Sequence, residues 1–214
     1  MTGFHVTITD DVVCAEAGIL LKDLSALIEE ASLTGFEFAS GIPGSLGGAV
    51  CMNAGAYDGE MKDIIRSVRV MNREGEILEK SCEEMAFSYR KSLCSSGDYI
   101  VLSAVLQLAK GNQEDISAKI ADLTARREEK QPLEYPSCGS VFKRPEGYFA
   151  GKLISDAGLK GYRIGGAQVS EKHAGFIINT GGAKAQDVLD LIAYVQKEVQ
   201  EKFGVSLECE VKIL

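Results

Sequence analysis

Apolar positions recur along this chain with two periods. Residues 11–17 form a short apolar-rich run that predicts a strand ending near Gly18. Leu20, Leu24, Leu27, Ile28 and Ala31 then follow at helical spacing, and Gly35 suits a helix stop. Residues 41–59 are dominated by glycine and small side chains and read as an ordered loop with a helical turn. Residues 65–71 and 76–80 predict two strands joined through Asn72-Arg73-Glu74-Gly75, a hairpin signal. Residues 99–108 predict another strand, with Val101, Val105 and Leu108 among its apolar positions. Asn112 can cap a helix that carries Ile116, Ile120 and Leu123 on one face. That helix runs into the charged stretch 126–130, and Pro132 and Pro136 then break regular structure.

Past the prolines the pattern predicts a helix over 149–157, a strand over 174–178 and an amphipathic helix over 186–203. Val188, Leu191, Ile192, Val195 and Val199 mark the buried face of the last, and Gly204 ends it. Residues 205–214 alternate as a final strand. Helices and strands alternate irregularly, with hairpins, so the fold class is α+β. The expected organisation is one domain over 1–131, a second over 132–204, and a return strand over 205–214.

Composition narrows the function classes. A chain of 214 residues with 45% hydrophobic content can bury one sizeable core or two modest ones. No apolar run approaches the ~20 residues of a membrane span, and the polar start does not resemble a signal peptide. A formal net charge of −8 gives no global attraction to phosphate backbones, which argues against a nucleic-acid partner. An anionic ligand would have to be met by local arginines, main-chain N–H groups or helix ends. The 6 cysteines include no C-x-x-C pair, and the 2 histidines, His5 and His173, make a zinc site improbable. Scattered thiols of this kind pack as small apolar residues in a reducing compartment, the cytoplasm.

The segment Gly41-Ile42-Pro43-Gly44-Ser45-Leu46-Gly47-Gly48-Ala49 stands out, followed closely by Asn53-Ala54-Gly55-Ala56-Tyr57. Glycine lets main-chain N–H groups approach a phosphate or a flat ring, because no Cβ intervenes. The spacing is neither a Walker loop nor G-x-G-x-x-G. A glycine-rich loop alone is more often a tight turn than a cofactor cradle; two adjacent ones tilt the reading toward ligand contact.

This segment resembles the flavin-contacting stretch of the UDP-N-acetylenolpyruvoylglucosamine reductase family, and three further motifs follow in family order. The resemblance implies FAD contacts from Gly41, Ile42, Pro43, Gly44, Ser45, Gly47, Gly48, Asn53, Ala54 and Gly55. Phe87-Ser88-Tyr89-Arg90 resembles the family's Tyr-Arg pair, which makes Tyr89 a substrate contact and Arg90 the group that holds the substrate carboxylate and stabilises the enolate. Tyr135-Pro136-Ser137-Cys138-Gly139-Ser140-Val141-Phe142-Lys143-Arg144-Pro145 resembles the second signature, with Ser140 as proton donor. Leu207-Glu208-Cys209-Glu210-Val211 resembles the third, with Glu210 acting beside Arg90. In an alternating strand Glu208 and Glu210 would share a side. Arg127, Lys130 and Gln131 match family residues near the UDP-sugar and its phosphates, while Arg126 reads as a solvated helix position.

The family resemblance further implies an FAD-binding fold of the vanillyl-alcohol-oxidase/p-cresol-methylhydroxylase type joined to an α+β substrate-binding domain, with NADPH as co-substrate and the active site assembled between lobes. The short spacing between Ser140 and Thr180 fits the family's shorter type. His173 falls in a matching segment without an assigned role, and Lys212 stands where many relatives carry Arg, losing the two-point fork. No residue matches the family's first lobe, so the expectation is a truncated form that carries only the second FAD lobe and self-associates through the uncovered surface. Two other readings compete: another flavin oxidase or dehydrogenase of the same broad fold, and a flavin-free module that binds UDP-sugar without catalysis. The first lacks the Arg90, Ser140 and Glu210 set; the second is separated by titration with UDP-sugar. A nucleotide hydrolase is disfavoured by the missing lysine and metal-binding residues.

Overall fold

The computed structural model describes residues 4–213, so Met1, Thr2, Gly3 and Leu214 lie outside the described residues. Contacts group the chain into two units that meet between Arg127 and Glu128.

The first unit opens with strands β1 (Val6–Thr9) and β2 (Val12–Glu16), helix α1 (Leu21–Glu30) and the short β3 (Leu33–Thr34). Helix α2 (Leu46–Cys51) and the small hairpin β4 (Gly55–Ala56) and β5 (Gly59–Glu60) follow. The long strands β6 (Ile65–Asn72), β7 (Ile77–Ser81) and β8 (Tyr99–Gln107) come next, then β9 (Ala109–Lys110) and helix α3 (Gln113–Lys130). The main sheet has the order β1-β2-β8-β6-β7, and every pair in it is antiparallel. Period-two alternation decides which face is covered. Val13 lies opposite Leu106, and Ala15 opposite Ala104, which in turn lies opposite Val68. All five are buried, with Leu21, Leu24 and Ile28 of α1 and Leu46 and Val50 of α2 in the same core. Each Val, Leu or Ile among them contributes roughly 1.5–3 kcal/mol on burial.

The predicted hairpin forms as read: Asn72 Oδ1 accepts the N–H groups of Glu74 at 3.1 Å and Glu76 at 2.8 Å, and Gly75 takes φ +84°. Strand β1 has no counterpart in the sequence reading. Its two apolar residues, Val6 and Ile8, are only partly buried at the sheet edge, too few to set a period.

The second unit contains β10 (Ser137–Ser140), helix α4 (Ala150–Asp156), β11 (Arg163–Ile164), β12 (Ala167–Val169), β13 (Phe176–Asn179) and helix α5 (Ala185–Phe203). Its sheet has the order β10-β13-β12-β11. Leu191, Ile192, Val195 and Val199 of α5 share a core with Leu153 and Ile154 of α4 and with Ala167, Val169 and Ile177 of the sheet. Helix α5 ends at Gly204, which adopts φ +69°.

Three sequence expectations change. The compact units meet at Arg127/Glu128 rather than at the prolines, because α3 continues beyond the last residue that it buries, Arg127. The strand expected over 174–178 starts at Phe176, since the residues before it form a hydrogen-bonded turn. The strand expected over 205–214 does not form as a ladder: its described part makes one isolated bridge, Phe142 with Cys209. Glu208 and Glu210 consequently sit in different settings, Glu208 exposed and Glu210 half-buried.

Candidate functional site

In the first unit the glycine loop is stitched to the core on one side and bare on the other. Leu21 N–H donates to the Gly44 carbonyl at 2.9 Å, Leu46 N–H to the Ile19 carbonyl at 2.9 Å and Gly47 N–H to the Ala17 carbonyl at 2.8 Å. A Cβ on Gly47 would lie 2.8 Å from the Ala17 Cβ, so only glycine allows that approach. Ser45 caps α2 by accepting the Gly48 N–H at 3.4 Å. Pro43, Gly44 and Gly48 are exposed, Gly44 has φ +147°, and a Cβ there would project into open space. Such a bare main-chain face fits a flat ring or a phosphate ester. Ile42 and Ala54 pack against the core behind it.

Asn53 ties this loop to the Tyr89-Arg90 turn. It is fully buried, and its side chain donates to Glu60 Oε2 at 2.8 Å and to the Ser88 carbonyl at 3.1 Å, while Oδ1 accepts the Lys62 N–H at 2.9 Å. With its amide engaged inside the protein, Asn53 supports the loop rather than offering that side chain to a ligand. Ser88 and Lys91 close the turn by exchanging N–H···O bonds at 3.0 and 3.1 Å. Arg90 stands at its corner with φ +54°, donates to the Gly55 carbonyl at 3.1 Å, and lies 5.2 Å from the centroid of the exposed Tyr89 ring.

Arg127 is 6% exposed and packs under the same loop: a Cβ on Gly41 would come within 2.9 Å of its Nε. It donates to the Phe38 carbonyl at a long 3.4 Å, and its guanidinium carbon stands 5.4 Å from the Tyr57 centroid. Burial lowers its pKa, and Tyr57 partly offsets that. Arg127 Nε has no hydrogen-bond partner among the described residues. A buried donor left unsatisfied calls for an explanation, and an anionic ligand beside Gly41 is one that suits a guanidinium. Continuing the stripe Ile116, Ile120, Leu123 by four residues lands on Arg127, so its burial had a signal in the sequence. Arg126, one position out of phase, pairs with Asp122 at the surface. Tyr57, beneath Arg127, had no such signal.

In the second unit the residues of interest converge on Val141. Its N–H donates to the Gly175 carbonyl at 2.9 Å and its carbonyl accepts the Glu210 N–H at 2.7 Å. Ser140, exposed, pairs with Phe176 across the ladder after a bulge in which Gly139 takes φ +76°. Ser140 is the chain neighbour of Val141, and Glu210 is tied to Val141 by a main-chain bond, so the two sit on one connected stretch of backbone. Lys143 N–H donates to the Glu208 carbonyl at 2.9 Å, and the two side chains form an ion pair. Glu208 thus latches the segment that carries Glu210. Cys138 is exposed beside this strand. Lys130 is exposed at the end of α3 and Gln131 is half-buried just after it; neither joins the Ser140 cluster through a side-chain bond described here.

The first unit, an antiparallel sheet backed by helices with a bare glycine loop, has an FAD-binding-domain fold: the sequence profile described as FAD binding domain matches residues 1–81. The profile described as UDP-N-acetylenolpyruvoylglucosamine reductase, C-terminal domain, matches residues 131–214. The UDP-N-acetylenolpyruvoylglucosamine reductase of Lachnoclostridium phytofermentans is 60% identical over 214 residues, 99% of this chain and 69% of that protein. The protein of the same name from Caldanaerobacter subterraneus subsp. tengcongensis is 58% identical over 98% of this chain and 70% of its own length. The crystal structure of UDP-N-acetylenolpyruvylglucosamine reductase from Thermus caldophilus superposes with a TM-score of 0.81 at 41% identity, covering 92% of this chain and 70% of that one. The chain belongs to the UDP-N-acetylenolpyruvoylglucosamine reductase family.

Proposed function

We propose that this chain is the FAD-dependent reductase that converts UDP-N-acetylenolpyruvoylglucosamine to UDP-N-acetylmuramate in peptidoglycan precursor synthesis, with NADPH as electron donor, in the reducing cytoplasm where its free thiols are the ordinary state. The observation that carries it is the convergence of Ser140 and Glu210 on Val141, in a chain whose relatives of that name match it almost end to end. The bare main chain of Gly44 and the orphaned Arg127 Nε fit a flavin nucleotide or a nucleotide sugar.

FAD, when bound, supplies hydride transfer, which no side chain can perform. Gly41, Ile42, Pro43, Gly44, Ser45, Gly47, Gly48, Ala54 and Gly55 shape its seat, and Asn53 braces that seat from behind. Arg90 holds the substrate carboxylate in a two-point contact, and its fixed positive charge offsets the negative charge that builds there as the double bond is reduced. Its bond to Gly55 orients it toward the loop. Glu210 acts on the same carboxylate end. Ser140 gives its hydroxyl proton to the electron-rich carbon and recovers one from solvent. Tyr89, Arg127, Lys130 and Gln131 contact the UDP-sugar, the basic ones through its phosphates.

The test begins with an absorption spectrum of the protein after FAD addition and gel filtration; visible flavin bands are expected to persist, and a colourless protein counts against the flavin assignment. In the flavin-loaded protein, Ser140→Ala is expected to keep substrate binding and lower turnover by about 100-fold or more. Unchanged turnover sinks the proton-donor role.

A further inference from the structure

The turn that faces Ser140 is braced by a histidine. Ser170 N–H donates to the Phe176 carbonyl and Phe176 N–H to the His173 carbonyl, both at 2.9 Å. The Ser170 hydroxyl accepts from the N–H groups of Lys172 and His173, each at 3.2 Å. A further side-chain bond closes the turn: His173 Nδ1 accepts the Gly175 N–H at 3.1 Å. A side-chain acceptor two residues before its donor reproduces the geometry that an Asn or Asp oxygen makes in an Asx turn. Because the donor is an N–H, Nδ1 carries the lone pair and the ring proton belongs on Nε2. Burial lowers the imidazole pKa from 6.5, a main-chain hydrogen bond opposes the shift, and Lys160 adds to it, a direction that agrees with the neutral ring the Nδ1 acceptor requires. From β13 the ring meets Phe176 edge-on at 4.9 Å, and on the α4 side it lies close to Gly151, which brings no charge.

Gly175 and Phe176 are the two residues of this turn that touch the site. The Gly175 carbonyl holds the Val141 N–H, the Val141 carbonyl holds the Glu210 N–H, and Phe176 pairs with Ser140. A continuous series of bonds therefore runs from the imidazole through Gly175 and Val141 to Glu210. We propose that His173 is a positioning residue, whose neutral imidazole fixes the Gly175–Phe176 turn and thereby sets the spacing of the Ser140 hydroxyl and the Glu210 carboxylate. This rests on the reading of Ser140 as proton donor.

The test compares His173→Leu, which removes the acceptor, with His173→Asn, whose Oδ1 can remake it. Amide hydrogen exchange at Gly175, Val141 and Glu210 is measured beside kcat and KM of the flavin-loaded protein. His173→Leu is expected to lose about tenfold in kcat with KM little changed, as befits a misplaced reacting group, and to lose protection at all three amides. His173→Asn is expected to restore both within about twofold, since the i to i+2 bond is remade. Loosening confined to Gly175, with Val141 and Glu210 still protected, overturns the proposal; so does an Asn variant as slow as the Leu variant. If His173→Leu fails to fold, His173→Asn decides alone: wild-type exchange and turnover support the proposal, and their loss overturns it. Failure of the underlying reading looks different, because full turnover in Ser140→Ala would leave the exchange pattern of the His173 variants intact.

Discussion

The two units hold their candidate residues by different means. In the first, the chain around the loop is bent into conformations that L-residues rarely adopt: Asn53, Tyr57, Asp58, Ala86 and Arg90 all have positive φ, between 42° and 64°. In the second, positive φ among the described residues falls on glycines alone, from Gly139 to Gly204. The first unit thus stores backbone strain at its site, and side-chain bonds from Asn53 and Arg90 hold it there. The second is relaxed at its turns and relies on main-chain bonds through Val141. A site held by a buried side chain can be dismantled by one substitution. A site held by main-chain bonds must be attacked through what braces them.

The largest expected effect follows from that difference. Asn53→Ala removes three hydrogen bonds from a fully buried position and leaves partners unmet. The expected loss is about 2–4 kcal/mol, seen in denaturant unfolding of the first unit. The turn carrying Arg90 is released with it. A loss under about 1 kcal/mol, no more than one ordinary hydrogen bond, would remove the contrast between the two units.

Acid tests the first unit next. Glu37 is 2% exposed; burial raises its pKa, but hydrogen bonds from Thr34 at 2.5 Å and the Gly35 N–H at 3.0 Å, with Lys119 at 3.4 Å, bring it below 4.5 overall. A carboxylate depressed in the folded state contributes stability above its unfolded pKa and loses it as pH falls through the folded value. In the second unit Asp187 is lowered in the same direction, chiefly by the Lys184 and Gly166 N–H groups, but from a less buried position. Melting of the first unit, followed from pH 6 downward, should therefore lose stability as pH falls below about 4.5. Glu37→Gln should flatten that slope; an unchanged slope would assign the acid sensitivity to other groups.

How much of this was readable beforehand follows the same division. Local signals were legible: the α1 and α5 stripes, the Asn72–Gly75 hairpin, and the glycine loop as a segment where main chain is left bare. The family resemblance picked out Arg90, Ser140 and Glu210, and the structure adds what holds each one. The final strand was misread because alternation predicts an exposed and a covered face but does not supply a partner, and residues 205–213 find only one bridge. His173 illustrates the opposite limit. Its spacing to Gly175 was visible, but its value depends on Gly175 reaching Val141, a contact across 34 positions that no local pattern encodes.

The smallest expected effect is the sharpest probe of stored strain. Ala86 is exposed, has φ +48°, and its N–H donates to the Glu83 carbonyl at 3.0 Å. A left-handed alanine costs about 1–2 kcal/mol, and glycine adds about 0.4–1 kcal/mol of unfolded-state entropy. Ala86→Gly should therefore stabilise the first unit by about 0.5–1 kcal/mol, a rise of a few degrees in its melting temperature. Ala86 lies two residues before Ser88, whose carbonyl Asn53 holds. If turnover is unchanged while stability rises, the strain at this position is incidental to the site. If turnover falls as stability rises, the strain helps hold Arg90 in place, and the first unit trades stability for geometry where the second does not.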